Sequence, residues 1–367
     1  MRIGIDARFY GTKQRGIGRY VKKLVDGLVE FDRQNNYVIF LTSDNIEDFR
    51  TANPRVTKVL FNTRWYSLRE QLAGHQLIKR EKLDLMHWPH LNVPFLAGQP
   101  YVLTIHDLII NRFPDSRATT LPNWLYWLKL LAYRWVVKRA VGRAAKIIVP
   151  SRYVKQDLLR TYSIDENKVQ VIYEGYFLAD GQQTMAITHF KIIKPFLLYV
   201  GSAYPHKNLE RLIRVFKKLN REKRYQLVMA GRTDFFFERL KKIAANEPNI
   251  IFTGFVSDSE LAALYQEARL YVFPSFYEGF GLPPIEAQAH GLAVVSSNTS
   301  SLPEVLADGA VYFDPGSETD MLVAIKSVLE NPRLKNDLVS QGRQNVKRFN
   351  WAKTVKETHS LYLSLKR

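Results

Sequence analysis

The chain has no cysteine. That excludes a disulfide framework, a cysteine zinc site and a cysteine nucleophile together, and it fits a reducing compartment. Long apolar runs are missing too. The N-terminal MRIGIDARFY is broken by Asp6 and Arg8, so it is neither a signal-peptide core nor a membrane span. No later window has the uninterrupted apolar length a spanning helix needs, and a cytoplasmic protein is expected. Acidic residues are scarce, 35 Asp and Glu against 53 Lys and Arg, for a net charge of +18. Such a balance predicts an anionic partner: nucleic acid, acidic lipid headgroups or a phosphorylated substrate. The plain alternative is solubility. What is present is globular, since 46% of the residues are apolar and 24% charged. The 367 residues suffice for two domains with cores of their own.

Short apolar runs alternate with amphipathic stretches. Residues 2–5 read as a strand, followed by a glycine-containing loop and a helix over about 19–30. Residues 37–42, 101–105 and 146–150 read as further strands. The pattern restarts at 196–201, continues with a helix at 209–220, and adds strands at 225–230, 250–252, 270–273 and 293–296. This is βαβ repetition with buried parallel sheets. Residues 177–194 contain Asp-Gly-Gln-Gln with little periodicity and read as a linker. The expected fold is α/β, two doubly wound Rossmann-like domains facing a cleft, over 1–180 and 195–345. A last helix over 346–367 would return to the first domain. Ligands of such sheets sit at the carboxyl ends of the strands.

The most informative stretch is FPSFYEGFGLPPIEAQAHG, from Phe273 to Gly291. It leaves a strand end. Gly279 and Gly281 permit a tight loop with exposed amides. Pro283 and Pro284 suit the first turn of a helix, and Gly291 suits its stop. The helix N-terminus, with Phe280 and Leu282 beside it, is an anion site. Glu278 sits on the loop and Glu286 is placed in the first turn. Carboxylates bracketing an anion site suit a ligand with phosphates and hydroxyls, as a nucleotide sugar has. Glu286 would take the ribose diol and Glu278 the transferred sugar. Helix-end stabilisation is the plain alternative for Glu286, and an ordinary loop charge for Glu278.

A second strand-to-helix loop, Gly201-Ser202-Ala-Tyr-Pro-His206-Lys207-Asn208, places Lys207 to neutralise a diphosphate. In the first half, the Gly11–Arg19 loop carries Gly16 and Gly18 but fails G-x-G-x-x-G, since Val21 holds the third glycine position. His106, in Thr-Ile-His-Asp at another strand end, suits a donor or acceptor contact.

Taken together these residues resemble the retaining, GT-B-fold glycosyltransferases of family 4, also called glycosyl transferases group 1. The likeness spans essentially the whole chain. Glu278 and Glu286 match the family's E-x7-E. His106-Asp-Leu, Phe113-Pro114, Pro150-Ser151, Pro205-His-Lys-Asn208, Ser301-Leu-Pro-Glu-Val305 and Phe313-Asp-Pro315 look like its mannosyltransferase-like branch. The resemblance implies that Glu286 binds the donor ribose, Glu278 the sugar or transition state, and Lys207 the diphosphate. Gly16, Gly18 and His106 would serve from the other domain. Catalytic roles are expected for Glu278, Lys207 and His106. The remaining donor-binding residues would be Ser202, Arg232, Gly279, Phe280, Gly281 and Leu282. Ser202 stands where many members carry Arg, and His206 where closer relatives have Arg, so Arg232 is the expected substitute. There is no D-x-D triplet, and neither metal nor cofactor is expected.

Residues 117–168 hold eleven Lys/Arg against three Asp/Glu and include Trp124, Trp127, Tyr133 and Trp135. An amphipathic helix of this kind suits an anionic membrane surface and a lipid-carried acceptor. Snorkelling cations on a partly buried helix are the plain alternative. The expected reaction transfers a hexose, mannose from GDP-mannose by resemblance, to a glycan or lipid-linked acceptor. The alternatives are an epimerase or phosphorylase on the same fold, an NAD-dependent oxidoreductase disfavoured by the failed fingerprint, and a nucleic-acid-binding protein resting on charge alone.

Overall fold

The computed structural model describes residues 1–11, 15–63, 67–91, 93–95, 98–114, 122–178, 187, 189–193, 195–222, 224–245 and 247–366. The chain divides into two compact units. The first comprises Met1–Arg112, Leu121–Gly175 and Phe349–Arg367, and the second Phe113–Thr120 and Tyr176–Arg348. Most of 177–194, read as the linker, lies outside the described residues.

The first unit runs β1 (Arg2–Asp6), α1 (Arg15–Phe31), β2 (Asn36–Leu41), β3 (Val56–Leu60), α2 (Leu68–Arg80), β4 (Leu85–Trp88), β5 (Tyr101–Thr104), α3 (Ile109–Arg112), α4 (Asn123–Arg143), β6 (Lys146–Val149), α5 (Arg152–Thr161) and β7 (Val169–Val171). Its strands form one sheet in the order β3-β2-β1-β4-β5-β6-β7, parallel throughout. Both faces are covered, which is why the strands read as continuous apolar runs. Along β2, Val38 and Phe40 enter one core and Tyr37, Ile39 and Leu41 the other. Each such side chain contributes roughly 1.5–3 kcal/mol by leaving water.

The second unit runs β8 (Phe196–Val200), α6 (Leu209–Leu219), β9 (Gln226–Ala230), α7 (Phe235–Ala244), β10 (Ile250–Gly254), α8 (Asp258–Glu267), β11 (Leu270–Phe273), α9 (Leu282–Ala289), β12 (Val294–Ser297), α10 (Leu302–Leu306), β13 (Ala310–Phe313), α11 (Glu318–Glu330) and α12 (Pro332–Asn345). Its parallel sheet is ordered β10-β9-β8-β11-β12-β13. In each unit the strand order reverses beside the first strand, between β1 and β4 and between β8 and β11. Loops leaving that reversal are where such sheets bind ligands. The closing helix α13 (Trp351–Leu363) belongs to the first unit. Its Val355, Leu361 and Tyr362 join the core beneath α1.

Two expectations are corrected. Helix α1 begins at Arg15, so Gly16 and Gly18 are its second and fourth residues and not part of the preceding loop. A glycine costs a helix only about 1 kcal/mol, and burial of Tyr20, Val21, Leu24, Val25 and Leu28 outweighs it. Residues 12–14 of that loop lie outside the described residues. Helix α4 is not amphipathic in the simple sense: it is apolar on two faces. Leu130, Val137, Ala140 and Val141 are buried, while Trp124, Trp127, Leu128, Leu131 and Trp135 are exposed. Among the described residues no helix is long and apolar enough to cross a membrane.

Candidate active site

In the second unit, the loops after neighbouring strands β8 and β11 are stitched together. The Lys207 ammonium lies 2.6 Å from Glu278 Oε1, with side chains 14% and 9% exposed. Backbone bonds hold the same loops in register, since Phe276 N donates to His206 O at 2.8 Å. Asn208 completes the seam. It takes a left-handed conformation, φ 61°, at the start of α6. Its amide donates to Pro274 O at 3.1 Å and Pro315 O at 2.9 Å.

The Glu278 loop rests on a run of hydroxyls after β12. Ser300 Oγ accepts from Glu278 N at 3.0 Å. Ser301 Oγ donates to Glu278 O and Phe280 O, at 3.0 and 3.1 Å. Thr299 Oγ1 donates to Phe276 O at 3.1 Å. These bonds satisfy buried carbonyls and preset the loop, so little ordering is needed when a ligand arrives. Gly279 and Phe280 are buried within it. Gly281 then turns the chain into α9 at φ +102°, and a Cβ there would meet Leu302 at 2.9 Å, so no other residue fits well. Leu282 opens α9, Pro283 and Pro284 follow in the first turn, and Gly281 supplies no side-chain cap. Of the first three helical residues only Leu282 carries an N–H, since Pro283 and Pro284 have none. Gly291 ends the helix region with φ +73°.

Glu286 is corrected by one turn. It is the fifth residue of α9 and opens the second turn, because the helix starts at Leu282. It is 6% exposed, and Tyr265 OH donates to its Oε2 at 3.2 Å. His206 adds no charge. Burial, then the neighbouring Lys207 ammonium, push its pKa down to about 4 against a smaller pull from Glu278. Ser202 follows β8, and its carbonyl accepts from Tyr199 OH at 2.7 Å. Arg232 lies exposed after β9, near in sequence to the strand end.

The first unit has its own cluster at the ends of β4 and β5. His106 is 16% exposed on its side chain and lies 2.9 Å, through Nδ1, from Glu174 Oε1. Its Nε2 lies 3.1 Å from Pro89 O. The Tyr20 ring of α1 meets the imidazole edge-on, with centroids 4.6 Å apart. His87 on β4 is fully buried beside it, with Nε2 2.8 Å from Thr104 Oγ1. Burial and the charge of His106 push the His87 pKa down to about 3. Gly16 and Gly18 lie four and two residues before Tyr20, in a first turn of α1 that carries no acid.

Sequence reasoning named Lys207, Glu278, Glu286 and His106. It missed Asn208, Ser300, Tyr265 and Glu174, which hold them. The run Ser296-Ser-Asn-Thr-Ser-Ser301 after an apolar strand was the available signal for the hydroxyl prop. Glu174 is 68 positions from His106 and carried no local signal.

Residues 182–345 match the family "Glycosyl transferases group 1" and residues 14–179 match "Glycosyltransferase Family 4". The chain is 31% identical over 289 residues to the O-antigen chain mannosyltransferase RfbU of Salmonella typhimurium, covering 78% of this chain and 75% of that protein. Among solved structures it is similar to sucrose-phosphate synthase from Thermosynechococcus elongatus, with a TM-score of 0.79 at 19% identity over 100% and 99% of the two chains. Anabaena HepE, solved with UDP and glucose, has a TM-score of 0.75 at 17% identity over 99% and 100%. With two Rossmann-like units, the E-x7-E carboxylates on a preset loop and these matches across both halves, the chain belongs to the group 1, family 4 glycosyltransferases and has their GT-B fold.

Proposed function

We propose that this glycosyltransferase moves mannose from GDP-mannose to a glycan or lipid-linked acceptor, with retention at the anomeric carbon and without a metal ion. The observation that carries the reading is the Lys207–Glu278 pair at the reversal of strand order, beside the uncapped start of α9. A donor diphosphate replaces Glu278 as the partner of Lys207, and the positive end of α9, whose first turn offers the Leu282 N–H, favours its charge. Glu278 is then released to the sugar hydroxyls, and Glu286 accepts from the ribose diol. The acceptor oxygen bonds to C1 on the face the phosphate leaves, the C1–phosphate oxygen bond breaks, and the departing phosphate takes the acceptor proton. Lys207 gains most as that phosphate acquires charge. Mannose is supported by the name of the Salmonella relative and by the branch-like motifs.

The test is thermal stability against a panel of nucleotide sugars with EDTA present. A ligand at 100 times its Kd adds about 2.7 kcal/mol of stability. GDP-mannose is expected to raise Tm by several degrees in wild type and not in Glu286→Ala, with Arg232→Ala weakening the response. No shift with any donor, in a folded sample, overturns the reading. Donor consumed without acceptor and converted to a new sugar nucleotide would establish an epimerase.

The membrane surface completes the proposal. The outer stripe of α4 spaces exposed Trp124, Trp127, Leu128, Leu131 and Trp135 along one face, each about half exposed or more. Lys129, Arg134 and Lys138 are exposed beside it. Aromatic and basic groups together suit an acidic bilayer surface. Sedimentation with vesicles containing anionic lipid is expected to capture wild type. Replacing the three tryptophans by Ala should reduce capture at least tenfold, while neutral vesicles capture little of either. Equal capture of wild type and variant would exclude this stripe.

A further inference from the structure

Each ring nitrogen of His106 faces an oxygen that accepts. Glu174 Oε1 is 2.9 Å from Nδ1 and the Pro89 carbonyl is 3.1 Å from Nε2. A neutral imidazole has one N–H and can serve one of these. Both contacts become hydrogen bonds to a carboxylate and a carbonyl when the ring carries both protons.

The surroundings favour that state. Glu174 is 5% exposed, so its bond to the ring is poorly screened by water. Asp107 adjoins the ring in the chain. His87 on β4 and His90 just after it crowd the same strand ends, and Tyr20 of α1 packs on the ring. Burial lowers the tendency of His106 to charge, but the Glu174 hydrogen bond and charge, the Pro89 carbonyl and Asp107 together raise its pKa above the usual imidazole value. His87 and His90 go the other way, to about 3 and about 4. Burial is the first cause for each, and the charge of His106 the second. The three rings are thus driven apart, His106 toward the charged form and His87 and His90 toward the neutral one.

We infer that His106 works as a fixed imidazolium and not as a base, and that Glu174, just beyond β7, is the positioning residue that keeps the ring charged and oriented. With both N–H groups engaged, the ring has no lone pair to take an acceptor proton. What it offers is a positive charge at the end of β5. On the transferase reading, to which this adds, the proton of the acceptor goes to the departing phosphate and not to His106.

The first experiment does not depend on that reading. Protein labelled with 15N-histidine is titrated from about pH 5.5 to 8.5, with His106→Gln identifying the resonances. Both His106 nitrogens are expected to stay protonated to higher pH than an ordinary imidazole, while His87 and His90 are neutral at pH 6. Glu174→Gln should move the His106 titration down by at least about one pH unit. One unprotonated His106 nitrogen at pH 7 in wild type overturns the proposal. With the transferase assay, wild-type kcat/KM is expected to hold to higher pH than that of Glu174→Gln. Glu174→Gln should retain activity in acid and lose about tenfold as pH rises, because its ring deprotonates. An equal loss at every pH would show that Glu174 only supports the fold, and would also overturn the positioning role.

Discussion

Lys207→Ala is expected to lower kcat by about 10²–10³-fold, with a smaller change in KM. The size is that of removing one preorganised charge from a developing anion. Lys207 is placed for this by the turn Pro205–Lys207 and by Asn208, whose amide fixes the loop to Pro274 and Pro315. A loss of stability could imitate a loss of catalysis, because the substitution strands Glu278, whose side chain is 9% exposed. Leaving such a group without its partner costs on the order of 1–3 kcal/mol. The double variant Lys207→Ala, Glu278→Gln isolates the stability part, since Glu278 itself serves the sugar. It removes the stranded charge, so Tm should return toward wild type while turnover stays at the level of the single variant or below. If turnover recovers along with Tm, Lys207 is structural and the donor diphosphate is held elsewhere.

Arg8→Met is expected to destabilise the protein by about 3–5 kcal/mol, read as a shift in the urea unfolding midpoint. Arg8 is fully buried just after β1. Its guanidinium binds Asp6 at 2.7 and 2.8 Å and lies 2.6 Å from Glu70. The same group stacks over Phe61 at 4.1 Å. Burial alone disfavours its charge, but Asp6 and Glu70 outweigh that and raise its pKa further. Without it, two carboxylates share a water-poor site with no cation. The methionine fills much of the volume, so the loss reports charge and not a cavity. Adding Asp6→Asn and Glu70→Gln should recover more than half of the lost stability. A single variant within 1 kcal/mol of wild type would mean that solvent reaches the cluster.

The loop chemistry of the second unit was legible because it depends on local backbone geometry. Gly281 needs a positive φ, the two prolines tolerate a first helical turn, and Gly291 ends what they begin. Glu286 was misplaced by a turn since helix starts are set by capping details of one or two residues. Strands β3, β4, β7 and β13 went unread. β7 has three residues, and β4 is Leu-Met-His-Trp without a β-branched side chain, so burial between neighbours makes it a strand. Helix α4 misled for a different reason. Two apolar stripes on one helix leave no single direction for the pattern to report, and contacts decide which stripe is inside.

From the sequence alone came the βαβ repetition in two halves, the positions of Lys207, His106 and Glu278 on loops after strands, and the family resemblance they carry with Glu286. Each follows from neighbours within a few residues, where side-chain period and turn preference act. The order of strands in each sheet, the pairing of Lys207 with Glu278, the hydroxyl prop beneath that loop and the charged state of His106 were decided by tertiary structure. Those depend on groups 22 to 71 positions apart. Burial and geometry bring such groups together, and no local preference encodes either.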